Sequence, residues 1–186
     1  MKRIRLLSLL LVATLLVQNA AATLLPYSSY YQGRSHFNDD VTGYVDFAVY
    51  DTLGPYGNEW TGAGFAAPGA GQYIYAYQIF NDVGSADAIG FFTIKSFDDH
   101  HLTGINTMNT QNPWEDYPLT TEGITPTDWN ANLEETEAIW KFADATGDIL
   151  VAGEYSWFLI FSSNTDWVQG KYETGPTGGF PITGNP

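Results

Sequence analysis

The sequence contains no cysteine, which excludes disulfide bonds, thiolate metal sites and cysteine nucleophiles. It is also poor in cations, because 7 Lys and Arg stand against 21 Asp and Glu and the formal net charge is −14. Such a surface repels phosphate groups, so binding to nucleic acid or to anionic lipid headgroups is disfavoured. No G-x-S-x-G nucleophile segment is present either. We therefore predict no catalytic residues and a protein that is not an enzyme.

The N-terminus has the three-part layout of a secretory signal peptide. Basic residues Lys2, Arg3 and Arg5 precede the apolar run Leu6–Val17, and small residues follow at Ala20–Ala22. The run is shorter than the about 20 residues that span a bilayer, and no second run of that length follows. We expect cleavage after Ala22, no membrane-spanning segment in the mature chain, and a secreted or cell-surface location.

Period-two alternation of apolar residues dominates the chain after this leader. Tyr44–Tyr50, Gln72–Asn81 and Tyr155–Ser163 are the clearest strands, and turn residues separate them from their neighbours. The pattern predicts an all-β fold, an antiparallel Ig-like or Greek-key β-sandwich of about six to eight strands. We assign residues 1–22 to the signal peptide and residues 23–172 to the sandwich domain, and we expect a flexible Gly- and Pro-rich tail over residues 173–186.

Three weaker patterns add detail to this expectation. In Tyr44–Tyr50 one face is apolar and the other is mixed, which predicts a strand half in contact with water. The glycine-rich residues 51–71 are expected to form a loop. Asn130–Glu137 is the one place where a short helix is expected.

Aromatic residues make up 16% of the chain, and four tryptophans lie in or beside predicted loops. Exposed rings on a β-sandwich stack on sugar rings, because a flat π-face matches the C–H face of a pyranose. Loop tryptophans also cap the ends of sandwiches, which is the alternative interpretation. The candidate carbohydrate-binding residues are Trp60, Trp114, Trp129 and Trp167.

The densest group of metal-ligand side chains is the run Asp98, Asp99, His100 and His101. Imidazole and carboxylate ligands suit Zn²⁺, and the carboxylates suit Ca²⁺. Adjacent residues at a strand end point in different directions, however, so a solvated loop that closes the preceding strand is the simpler interpretation. We expect no cofactor and keep Ca²⁺ as an alternative.

Four segments together resemble the ectodomains of bacterial PEP-CTERM proteins, which are exported and sorted by exosortase. They are Gly71–Asn81 (G-Q-Y-I-Y-A-Y-Q-I-F-N), Ala88–Ile94 (A-I-G-F-F-T-I), Ala138–Phe142 (A-I-W-K-F) and Ile149–Ser163. The resemblance covers about half of the mature chain and concerns β-sandwich packing. The Pro-Glu-Pro motif, apolar helix and basic tail of that family do not follow here, so the anchor was lost or the chain is cut at the linker before it.

These observations predict a non-enzymatic bacterial protein that is secreted or belongs to the cell surface or extracellular matrix. Its expected partners are extracellular polysaccharide or matrix proteins. Two alternatives remain open at this point. One is a carbohydrate-binding module that uses exposed aromatic side chains, and the other is a secreted hydrolase with two carboxylates in a groove.

Overall fold

The computed structural model describes residues 25–39, 41–96, 105–112, 123–132, 137–142, 149–166, 170–176 and 182–184. Within these residues lie ten strands and one short helix, α1 (Glu59–Gly62). The strands are β1 (Tyr31–Asn38), β2 (Thr42–Asp51), β3 (Tyr73–Asn81), β4 (Phe91–Ser96), β5 (Ile105–Gln111), β6 (Asp128–Asn132), β7 (Glu137–Lys141), β8 (Phe158–Ser163), β9 (Gly170–Gly175) and β10 (Ile182–Gly184). No helix in the described part of the chain has the length and apolar character needed to cross a membrane.

The strands form two five-stranded sheets. Sheet A has the order β1-β2-β3-β8-β5, and sheet B has the order β10-β9-β4-β7-β6. Every pair of neighbouring strands is antiparallel. The chain changes sheet at each of the connections β3–β4, β4–β5, β5–β6, β7–β8 and β8–β9. The predicted all-β antiparallel sandwich is confirmed, with more strands than expected.

A single aromatic-rich core fills the space between the sheets. Alternate residues of β3, namely Tyr73, Tyr75, Tyr77 and Ile79, face this core and are buried. Tyr77 contacts the Trp140 ring of sheet B with a centroid distance of 6.4 Å, which joins the two layers directly. Large apolar rings buried on facing sheets supply most of the favourable free energy of such a fold.

A second apolar cluster covers the opposite, outer face of sheet A. The cluster consists mainly of buried residues of sheet A, and Trp60 of α1 and Phe65 of the following loop pack against them. In β2, the face expected to meet water, Tyr44, Asp46, Ala48 and Tyr50, is buried. The half-solvated strand predicted at Tyr44–Tyr50 is therefore wrong, because the apolar cluster covers Ala48 and Tyr50, and Arg34 contacts Asp46 and Tyr44.

Two further segments differ from the sequence-based expectation. Strand β6 occupies Asp128–Asn132, where the start of a helix was expected, because its backbone pairs with β7 in full register. Strands β9 and β10 lie partly or wholly in residues 173–186, which were expected to form a flexible tail. The Gly- and Thr-rich sequence there has little apolar alternation, and the two strands are fixed by pairing, β9 with β4 and β10 with β9.

Candidate functional site

The structure removes Trp60 from the predicted set of carbohydrate-binding tryptophans. Trp60 is fully buried, and its Nε1 donates a hydrogen bond of 2.9 Å to the carbonyl oxygen of Ala66. Its ring packs on Tyr50 and Phe65 at centroid distances of 5.3 and 4.8 Å. It anchors the loop to sheet A, so its proposed role in stacking on sugar is wrong.

Of the other predicted site residues, only Trp129 lies in the described part of the chain. Trp129 is 37% exposed and lies on β6, at the edge of sheet B. Trp114 and Trp167 lie outside the described residues. The same holds for the run Asp98, Asp99, His100 and His101, so a metal site there stays a prediction. In the part of the chain that is described, no group of three or more metal-ligating side chains occurs.

The structure instead forms a cleft of about 110 Å³ at the end of sheet A where β2 finishes. One wall is the segment before β1, and the other is the loop between β2 and α1. We call it the tyrosine cleft and define it by its lining residues, Ser29, Tyr30, Asp51, Gly54, Pro55, Tyr56, Gly57 and Glu59.

Local hydrogen bonds fix the loop wall of the tyrosine cleft. The amide of Gly54 donates to the carbonyl oxygen of Asp51, and the amide of Gly57 donates to that of Gly54. Gly57 has φ +75°, a conformation that favours glycine because it has no Cβ. Asn58 then caps α1, since its side chain accepts a hydrogen bond of 3.2 Å from the amide of Thr61. The loop is thus held at both ends before any ligand arrives.

The apolar part of the tyrosine cleft consists of two tyrosine rings and a proline. Tyr56 is 75% exposed and Tyr30 is 37% exposed, so both offer ring surface to solvent. Tyr30 is held in place from behind, because its ring lies 5.7 Å from that of Tyr73 and its hydroxyl donates a hydrogen bond to Asp166. That hydrogen bond raises the pKa of Tyr30 well above its ordinary value, so the phenol stays neutral.

The polar part of the tyrosine cleft consists of two carboxylates, each oriented through one oxygen. Oδ1 of Asp51 accepts hydrogen bonds from the Leu53 amide at 3.0 Å and from Nε2 of Gln72 at 3.2 Å. Oε2 of Glu59 accepts one from the Ser29 amide at 2.8 Å. Among the described residues, Oδ2 of Asp51 and Oε1 of Glu59 accept none. Each half-buried carboxylate therefore keeps one oxygen for an incoming donor.

A larger cavity of about 270 Å³ lies further along the outer face of sheet A, beside β1. Its charged groups already satisfy each other, because Nε and Nη2 of Arg34 donate to the two oxygens of Asp46 at 2.6 and 2.9 Å. The guanidinium also lies 3.9 Å from the centroid of the Tyr44 ring. Ring and ion pair stabilise the sheet face together. The tyrosine cleft is thus the better candidate for binding, because its carboxylates keep unused acceptors.

Sequence reasoning missed the tyrosine cleft although six of its eight lining residues lie between Asp51 and Glu59. The run Gly54-Pro55-Tyr56-Gly57 is a turn signal that presents a ring to solvent, and this signal was available. The position of Tyr30 in the same cleft could not be predicted, because the segment before β1 and the loop after β2 come together only when the two strands pair.

Comparisons with protein-family models, with curated proteins and with solved structures gave no match. What the tyrosine cleft binds is therefore inferred from its own geometry.

Proposed function

We propose that this chain is an exported, non-enzymatic protein of the cell surface or extracellular matrix, and that it binds polysaccharide through the tyrosine cleft. The observation that carries the proposal is the pairing of exposed rings with oriented carboxylates in one cleft. The export component rests on the signal-peptide pattern of residues 1–22.

Each half of the tyrosine cleft matches one half of a sugar ring. A pyranose has an apolar face of C–H bonds, which packs on an aromatic ring whose face carries partial negative charge. Its rim carries hydroxyl groups, which donate hydrogen bonds to carboxylate oxygens. In this arrangement Tyr30 and Tyr56 provide the stacking surface. Asp51 and Glu59 accept hydrogen bonds from the rim.

The test of binding is isothermal titration of the full-length protein with a panel of short oligosaccharides, comparing the unaltered chain with Tyr56→Ala. We expect the variant to bind about tenfold more weakly, which corresponds to the loss of a ring contact of about 1.4 kcal/mol. The matched control is Tyr27→Ala, because Tyr27 is 70% exposed but does not line the cleft. Equal affinity of the unaltered chain and Tyr56→Ala for a bound sugar would exclude the tyrosine cleft as its site.

Export is tested separately by expressing the full chain in a secreting bacterial host. N-terminal sequencing of protein recovered outside the cell should begin at Thr23. Recovery of only the unprocessed chain inside the cell would contradict export. Polysaccharide binding would then still be decided by the titration alone.

A glycoside hydrolase is the second candidate, because Asp51 and Glu59 line the same cleft. Hydrolysis requires two carboxyl groups on opposite sides of the scissile bond, one of them protonated to act as the acid. Both carboxylates here accept hydrogen bonds from backbone N–H groups and are therefore oriented as acceptors. Release of new reducing ends from a bound oligosaccharide, abolished by Glu59→Gln, would replace the binding proposal with this one.

A further inference from the structure

The charges around the tyrosine cleft have a single sign. Asp51 and Glu59 line it, and Asp166 accepts the hydrogen bond from the Tyr30 hydroxyl at its border. No lysine or arginine is among its lining residues in the described part of the chain. Elsewhere in the described part of the chain, Arg34 forms an ion pair with Asp46 and Lys95 forms one with Glu173.

This charge distribution discriminates between classes of sugar. A uronic acid would bring a carboxylate against two carboxylates, and such like-charge contacts are repulsive. A neutral sugar donates hydrogen bonds to the carboxylates in which only the acceptor is charged. A protonated amino group donates such hydrogen bonds too and adds the Coulomb attraction between opposite charges.

The rings favour the same ligand. An ammonium group near an aromatic face is attracted by the negative charge of the π-system, so Tyr30 and Tyr56 add to the preference that the carboxylates create. Oδ2 of Asp51 and Oε1 of Glu59, to which no hydrogen bond is donated by the described residues, are acceptors for an ammonium or hydroxyl hydrogen.

We infer that the tyrosine cleft selects a polysaccharide with free amino groups, that is, a cationic amino sugar, over N-acetylated, neutral and acidic sugars. This inference rests on the proposed polysaccharide binding and names its ligand class.

The overall charge of −14 would attract a long cationic polymer to any face of the protein, so the test uses short oligomers and charge-matched variants. The probes are the tetrasaccharides of glucosamine, N-acetylglucosamine and glucose, titrated into the full-length chain. The site variant is Asp51→Asn/Glu59→Gln, whose amide oxygens can still accept the structural hydrogen bonds. The control is Asp82→Asn/Asp128→Asn, which removes the same charge from exposed residues outside the cleft.

We expect the glucosamine tetramer to bind about tenfold more tightly than the other two, because its ammonium groups and the carboxylates carry opposite charges. The site variant should lose this preference and bind the three tetramers with similar affinity, and the control variant should retain the preference.

The outcomes separate the two claims. Equal affinity for all three tetramers, with loss in Tyr56→Ala, would overturn the amino-sugar preference and leave polysaccharide binding in place. A preference lost equally in the control variant would overturn the inference, because it would then come from the overall field. Binding of none of the three, nor of any oligosaccharide in the wider panel, would overturn both.

Discussion

The outer faces of the two sheets are built on similar strand patterns but meet different surroundings. On sheet B, Lys95 lies between Glu173 at 2.7 Å and Glu137 at 3.6 Å, and these side chains remain partly exposed. On sheet A, an apolar cluster that includes Trp60 and Phe65 covers the outer face. One face is held by solvated ion pairs, and the other is a second core.

The difference shows that strand alternation alone does not decide which residues meet water. Asp46 of β2 and Lys95 of β4 both interrupt apolar alternation with a charge. Lys95 stays partly in water, whereas the Asp46 side chain is only 3% exposed and depends on Arg34. Arg34 of β1 pairs with Asp46, whereas the loop of residues 52–70 covers the neighbouring part of sheet A and also forms one wall of the tyrosine cleft.

The largest expected effect tests whether the outer face of sheet A is a true second core. Trp60→Ala should lower the free energy of unfolding by about 3–5 kcal/mol, because it removes a fully buried ring and leaves a cavity. Urea denaturation measures this loss. The matched control is Trp129→Ala, whose ring is partly exposed at the edge of sheet B and should cost far less. Similar losses in the two variants would contradict the comparison.

An intermediate effect is expected at the buried ion pair of sheet A. Arg34→Met leaves the Asp46 carboxylate buried without its guanidinium and should cost about 2 kcal/mol, less than a fully buried pair because Arg34 is partly exposed. The double variant Arg34→Met/Asp46→Leu should recover most of that loss in the same denaturation experiment. A double variant as unstable as the single one would mean that the cost lies in lost packing and not in the unpaired charge.

The smallest effect is expected on the solvated face of sheet B. Lys95→Met should lower the free energy of unfolding by at most about 1 kcal/mol, since water and salt screen its ion pairs. Repeating the denaturation at about 0.5 M salt should shrink the difference further. A loss larger than that of Arg34→Met would reverse the proposed ranking of the two faces.

Much of the sandwich could be predicted, because its central strands carry their own pattern. Tyr73–Asn81 and Phe158–Ser163 were located from apolar runs to within a few residues. The edge strands β6 and β10 were missed, because their sequences are polar or glycine-rich and their conformation comes from pairing with a neighbour. Of the candidate carbohydrate residues, Trp60 was misassigned for a related reason, since a tryptophan in a glycine-rich loop looks exposed until the loop closes.

The sequence by itself determined the fold class, the absence of disulfides and the strongly acidic character of this protein, because composition and local alternation are properties of the chain. Only the tertiary structure decided that the loop after β2 covers sheet A and that Tyr30 and Tyr56 line one cleft with two oriented carboxylates. These are contacts between segments distant in sequence, and their free energy appears only when strand pairing brings the segments together.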